Sequence, residues 1–291
     1  MAAAAQTKRK GFDVTCCARP KAVPPKFPRV STLTQASGEP VPSEAVKHKL
    51  GATQLCMGID VETNDFTNGR KPYCVGRFGH GCWCSGDDLE FRLVQIGWVT
   101  STCAAETEVD IQSKAERLIK PDAFTISEKA TKRHEITNER AASNGLPLLE
   151  VLEEFMCEAW SLYEKGGVVV SHHLEFDAGI IDEELKRCGM ESWRARWKLI
   201  ASHGICTLDL DIQAWFQSAF GNLQSKGEKT LVMSLANSIS LFYPKDPKIR
   251  KLLQTAHTAG ADAELHIWLL HALRVLASRA MHSSDHSLCS V

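Results

Sequence analysis

Gly166-Gly167-Val168-Val169-Val170-Ser171-His172-His173-Leu174-Glu175-Phe176-Asp177 is the stretch on which the fold turns. A glycine pair stops whatever precedes it, and three valines in a row read as a strand buried on both faces. Upstream, residues 148–164 put Leu148, Leu149, Leu152, Phe155, Met156, Ala159 and Leu162 on one face of a helix. Downstream, residues 176–188 repeat the helical period. Further back, residues 56–61 are apolar enough for a first strand, with order starting near Leu55. Residues 93–100 read as a second strand and residues 106–112 as a third. The connection between the last two is short, so these three form an antiparallel meander. A strand and its flanking helices added to a meander predict an α/β protein with a mixed sheet flanked by helices. Residues 127–134 read as a short helix capped by Ser127, and residues 231–241 and 261–280 as two more.

The chain has 291 residues and a formal net charge of −1, so no broad electropositive surface is expected. Its length fits one folded domain, over residues 51–280, with an insertion rich in Gly and Cys at residues 64–90. Residues 1–50 read as a basic, proline-containing disordered tail, with Lys8, Arg9, Lys10, Arg19, Lys21, Lys26 and Arg29 against Asp13. Lys8-Arg9-Lys10 could serve as a nuclear signal, part of an organelle presequence, a phosphate-binding arm or a merely solvated run. Residues 281–291 read as a flexible C-terminal tail. The 11 cysteines follow no repeating frame, and no apolar h-region precedes them. No run reaches the roughly 18 apolar residues a bilayer demands. The expectation is an intracellular, reducing compartment, cytoplasmic or nuclear, with organelle import left open and no membrane partner. No Walker loop, Gly-x-Ser-x-Gly elbow, nucleophilic cysteine dyad or internal repeat is present.

Acidic residues carry the chemistry. Asp60 and Glu62 end the first strand, where positions i and i+2 share a face. Two carboxylates so placed repel unless a cation lies between them, and a hard divalent ion suits oxygen ligands. Asp177 follows the valine strand at the start of a helix, with Phe176 expected to pack inward and aim it; helix capping is the plainer reading of this acid. Asp262 lies in the first turn of the last helix, five residues after His257, a side chain able to take a proton near neutrality. His266 and His271 read as surface histidines of that helix.

Taken together, the acid pair, the Phe-Asp pair and the His-x₄-Asp spacing resemble the DEDDh (DnaQ-like) 3′→5′ exonucleases of the ribonuclease H-like superfamily. The resemblance extends to Arg117-Leu118-Ile119-Lys120-Pro121, to His134-Glu135-Ile136-Thr137, to the long helix before the glycine pair and to Cys206-Thr207-Leu208-Asp209-Leu210. It spans about residues 55–278. It implies a ribonuclease H-like sheet, with Asp60, Glu62, Asp177 and Asp262 binding two Mg²⁺ or Mn²⁺ ions and His257 as general base. It also implies hydrolysis of RNA or DNA from a free 3′ end of a single strand, with nucleoside 5′-monophosphates as products. Thr63, Phe176 and His173 would adjoin the terminal nucleotide. His173 stands where the family often has asparagine. Some free-standing members are dimers, which leaves a homodimer open. The competing reading is a catalytically weak nucleic-acid-binding or polymerase-accessory module on the same fold.

Three features stand outside the motifs. Cys74, His80, Cys82 and Cys84 supply four ligands for a structural zinc, although Cys82-Trp83-Cys84 is spaced more tightly than usual; the alternative is a glycine-rich loop with reduced thiols. Residues 193–198 interleave Trp193, Arg194, Arg196, Trp197 and Lys198, which suits base stacking or ordinary core packing equally. Lys129, Lys132, Arg133 and Arg140 form either a solvated helix face or a guide for a strand.

Overall fold

The structure is a computed structural model that describes residues 41–51, 53–65, 91–219 and 234–285. Five strands form one sheet: β1 Leu55–Thr63, β2 Leu93–Thr102, β3 Asp110–Leu118, β4 Val168–Ser171 and β5 Ile205–Cys206. Their spatial order is β3-β2-β1-β4-β5. β1 pairs antiparallel with β2, and β2 with β3, while β4 pairs parallel with both β1 and β5. The mixed sheet is therefore a meander extended by parallel strands, as the valine stretch implied.

Ten helices are described: α1 Glu44–Leu50, α2 Glu128–His134, α3 Asn138–Asn144, α4 Leu148–Glu164, α5 Leu174–Arg187, α6 Glu191–Ser202, α7 Leu210–Ala219, α8 Leu235–Phe242, α9 Pro247–Gln254 and α10 Ala259–Asp285. Alternate residues of the sheet feed two cores. Met57, Ile59, Val61, Ile96 and Trp98 face α4, α5 and α6. Cys56, Val99 and Val170 face α10, α8, α7 and α1. In the first core Phe155 lies edge-on between Trp98 and Trp197, with ring centroids 5.5 and 5.4 Å away. Both indoles also find acceptors, Glu158 for Trp98 and the Ala178 carbonyl for Trp197. Each such buried ring contributes about 1.5–3 kcal/mol.

Several expectations shift. The third strand begins at Asp110 and runs to Leu118, past the predicted residues 106–112, because an edge strand paired on one side needs little apolar alternation. Helix α1 lies inside the stretch read as a tail; Ser43 caps it and Val46 and Leu50 are buried in the core. Leu149 is 47% exposed, outside the apolar stripe of α4. The last helix runs on to Asp285. Ser127 caps α2 as predicted, accepting the Ala130 N–H at 3.1 Å. Residues 1–40, most of the 64–90 insertion (with Cys74, His80, Cys82 and Cys84) and residues 286–291 lie outside the described residues. Among the described residues no helix is long and apolar enough to cross a membrane.

The first turns of α10 lie directly on β1 and β2. A Cβ added at Gly58 would come within 2.0 Å of the Ala263 carbonyl oxygen, and one at Gly97 within 2.2 Å of the Ala259 carbonyl carbon. Both obstacles are backbone, so no rotamer change relieves them. Gly58→Ala or Gly97→Ala is expected to lower unfolding free energy by about 1–3 kcal/mol, measured by urea denaturation. An unchanged midpoint in both variants would contradict this packing.

Candidate active site

Strand alternation sends Cys56, Gly58, Asp60 and Glu62 to the α10 face of the sheet. The two small residues admit the helix, and the two acids stand beyond its contact, where β1 runs past the end of its pairing with β4. That pairing ends at Gly58, which opens a cleft over the remaining residues of β1. Asp177 comes from the first turn of α5, directly after β4. Its carboxylate accepts a short hydrogen bond from Ser171 Oγ and another from the Val61 backbone, between the two strand acids. Ser171 Oγ accepts in turn from the His173 N–H at 3.1 Å. Asp262 arrives from the opposite side, in the first turn of α10.

His257 sits in the turn between α9 and α10 with a left-handed backbone, φ +70°. Its N–H donates to Asp262 Oδ2 at 3.2 Å, so the acid holds the turn that presents the imidazole. The other oxygen, Asp262 Oδ1, is buried and has no hydrogen-bond partner. Ligand atoms of Glu62, His257 and Asp262 all lie within 4.8 Å of one another. An orphaned carboxylate oxygen facing further carboxylates is a poor arrangement for a neutral cavity and a good one for a hard cation.

The cleft has a volume of about 520 Å³. Asp60, Glu62, Thr63, His172, His173, Phe176, Asp177, His257, Asp262 and His266 line it, with Arg133 on the rim and Ser234, Leu235 and Ala236 of the α8 entry on another wall. The five residues singled out as acids and base therefore meet in one place, as do Thr63, Phe176 and His173. Phe176 is half-buried and faces the cleft beside His173, their rings nearly parallel at 7° and 5.9 Å between centroids. As expected it packs against the core that encloses Leu174, and it also lines the cleft.

Charge crowding shows in the titration of the acids. Burial, then the neighbouring carboxylates, pushes Asp60 well above the usual range. Glu62 rises to about 8 by burial and by Asp262, and Asp177 to about 7, again chiefly by burial. Asp262 is raised by burial, against the hydrogen bond from His257.

Sequence reasoning missed the supports. His266 and His271, expected on the surface, are 2% and 8% exposed. His266 Nδ1 bonds the Ile59 carbonyl at 2.8 Å, and burial drops its pKa to about 3. His271 bridges Tyr243 and the Thr107 carbonyl. Gln95 and Glu116 accept the Ala259 and Gly260 N–H groups at 3.0 and 2.9 Å, capping α10 from the sheet. His172 bonds Thr207 Oγ1 at 2.8 Å. A lone glutamine within the apolar residues 93–100 was the one legible sign of any of these. In the Trp-Arg stretch, Trp197 is core, while Arg196 lies over Trp160 and Trp193 at 4.9 and 4.7 Å.

The family model described as Exonuclease, RNase_T, matches residues 58–267. The structure is similar to Escherichia coli exonuclease I in complex with a dT13 oligonucleotide, at TM-score 0.55 and 14% identity, covering 82% of this chain and 46% of that one. A second exonuclease I structure matches at TM-score 0.53 and 13% identity, covering 80% and 43%. A zinc-bound form of the E. coli exonuclease I–ssDNA complex matches at 0.50 and 14%, covering 81% and 43%. The chain thus spans less than half the length of these proteins, and at such identities the likeness is one of fold. Among curated proteins none matches this sequence.

Acids whose pKa is raised by folding hold protons that the unfolded chain has already released. Their contribution is full below about pH 4 and is lost as pH rises through the folded values. The lowered histidines act at lower pH, and the raised cysteines only above about 8.5. Between about pH 7 and 8.5 the melting temperature of EDTA-treated protein should therefore fall. Added Mg²⁺ or Mn²⁺ should raise it most at the upper end. A flat profile in EDTA would count against the carboxylate cluster.

Proposed function

The chain belongs to the exonuclease family RNase_T, and on that footing we propose that it is a 3′→5′ exonuclease releasing nucleoside 5′-monophosphates from single-stranded nucleic acid. One observation carries the reading: four carboxylates from three separate elements converge beside His257, with a buried oxygen of Asp262 left without a protein partner. The dT13 oligonucleotide of the E. coli exonuclease I complex supports single strands as the substrate class.

Asp60, Glu62, Asp177 and Asp262 would hold the divalent cations, which would supply Lewis-acid activation of the attacking water and neutralise charge at the leaving oxygen. The chain's own residues do the rest. His257 accepts the proton of the water at a ring nitrogen as its oxygen attacks phosphorus. Its exposure lets the proton pass on to solvent. The P–O3′ bond breaks, the 3′ oxygen of the remaining strand takes a proton from water, and the freed nucleotide keeps its 5′ phosphate. Phe176 and His173 offer ring faces to the terminal base, and Thr63, fixed by its bond to the Asp65 carbonyl at 2.9 Å, closes the floor.

End-labelled single-stranded RNA and DNA should lose 5′-mononucleotides from the 3′ end with Mg²⁺ or Mn²⁺, and nothing in EDTA. Asp60→Asn should lower the rate by at least about 10³-fold with the fold intact, because a cation ligand loses its charge. His257→Ala should cost about 10²–10⁴-fold with little change in cation affinity. Binding of oligonucleotide without any cleavage would instead mark a binding module.

A further inference from the structure

Arg133 is the one permanently positive side chain among the described residues that line the cleft. It lies in the last turn of α2, and α2 is fastened to the end of β1 at both of its own ends. At its start, the Ser127 N–H donates to the Asn64 carbonyl at 2.8 Å and Ser127 Oγ to Asp65 at 2.9 Å. At its finish, His134 is 2% exposed. Its Nδ1 accepts the Ile136 N–H at 3.1 Å, which leaves Nε2–H to donate to the Thr63 carbonyl at 3.2 Å. Glu135 then ends the helix in a left-handed conformation, φ +59°. The residue beside the buried His134 is thereby held over the mouth of the acid cluster. It is solvent-exposed on the rim, where a strand must pass.

We propose that Arg133 binds the scissile phosphate, its guanidinium engaging a non-bridging oxygen and fixing the terminal linkage over the four carboxylates. The proposal rests on the exonuclease reading and adds a substrate contact to it. The charge balance requires such a group. Two divalent cations offset four carboxylates and leave nothing for the phosphodiester or for the further negative charge that gathers on phosphorus during attack. A guanidinium keeps its charge at every working pH and matches phosphate geometry with two parallel donors. Its field already reaches Asp60, Glu62 and Asp262. Cations on those acids would weaken that attraction and turn the side chain toward the incoming phosphate.

The test is a binding cycle read by fluorescence anisotropy with Mg²⁺, in a His257→Ala background that retains all four carboxylates. The probes are a labelled single strand and the same strand with an uncharged methylphosphonate as its 3′-terminal linkage. Arg133→Gln should weaken binding of the phosphodiester strand about tenfold. It should change binding of the methylphosphonate strand by less than twofold. Arg133→Lys should recover part of the loss, and the salt slope of phosphodiester binding should become shallower by about 0.7. Equal losses on both strands, or an unchanged salt slope, would overturn the contact. A fall in melting temperature that accounts for the loss would do the same. Mononucleotide release by the otherwise unchanged protein reports the exonuclease reading separately, so the two failures are distinguishable.

Discussion

Backbone contact between α10 and the sheet, with no side chain between them, is the constraint on which the rest of this structure depends. Gly58 on β1 and Gly97 on β2, offset by two residues in the strand register, let the helix settle onto the sheet at carbonyl distance. At that separation the sheet itself supplies the missing caps. Gln95 and Glu116 reach the first free N–H groups of α10, and His266 reaches back to the Ile59 carbonyl. Asp262 and the His257 turn are carried in with the helix. With a larger residue in place of either glycine, the helix would ride higher and the fourth carboxylate would stand away from the other three.

Function and stability pull against each other within this cleft. Burial raises all four acids, and neighbouring carboxylates raise Asp60, Glu62 and Asp177 further, so the folded chain without cations carries a charge cluster that it would shed by protonation. The cost is tolerable because stability is lodged elsewhere, in the two apolar cores on either side of the sheet. Asp177 is the best supported of the four, with Ser171 and the Val61 backbone donating to it. Asp262 is held on one side only, with one oxygen given to His257 and the other left open. In the proposed reaction, Asp262 as a cation ligand that also holds the His257 turn would couple metal binding to base position through a single side chain.

Some elements had no legible signal for a physical reason. Helix α9 has only two turns, with Ile249, Leu252 and Leu253 as a short apolar stripe, too brief to stand out by periodicity; its Asp246-Pro247 start is a capping signature that could have marked it. β3 is polar because it is an edge. Helix α6 announced itself only as a Trp-Arg alternation, which separates in the structure into a core residue, Trp197, and a rim where Arg196 lies between two indoles. His271 and His266 read as surface residues because they are buried against segments remote in the chain, with the Thr107 and Ile59 carbonyls more than 100 positions away.

The sequence by itself determined the meander and the valine strand that follows it, the long helix over residues 148–164, the helical cap at Ser127 and the five residues most suited to cation-assisted hydrolysis. Those are local properties: periodicity, turn chemistry and the i, i+2 geometry of a strand travel with the residues that carry them. Only the tertiary structure decided that these five residues meet in one cleft, and that Phe176, packed against the core, also lines it. It alone showed that Arg133, Gln95, Glu116 and His266 serve the same cleft. Convergence is a matter of distance between segments remote in the chain, and here that distance is set by two glycines whose importance lies in the side chains they lack.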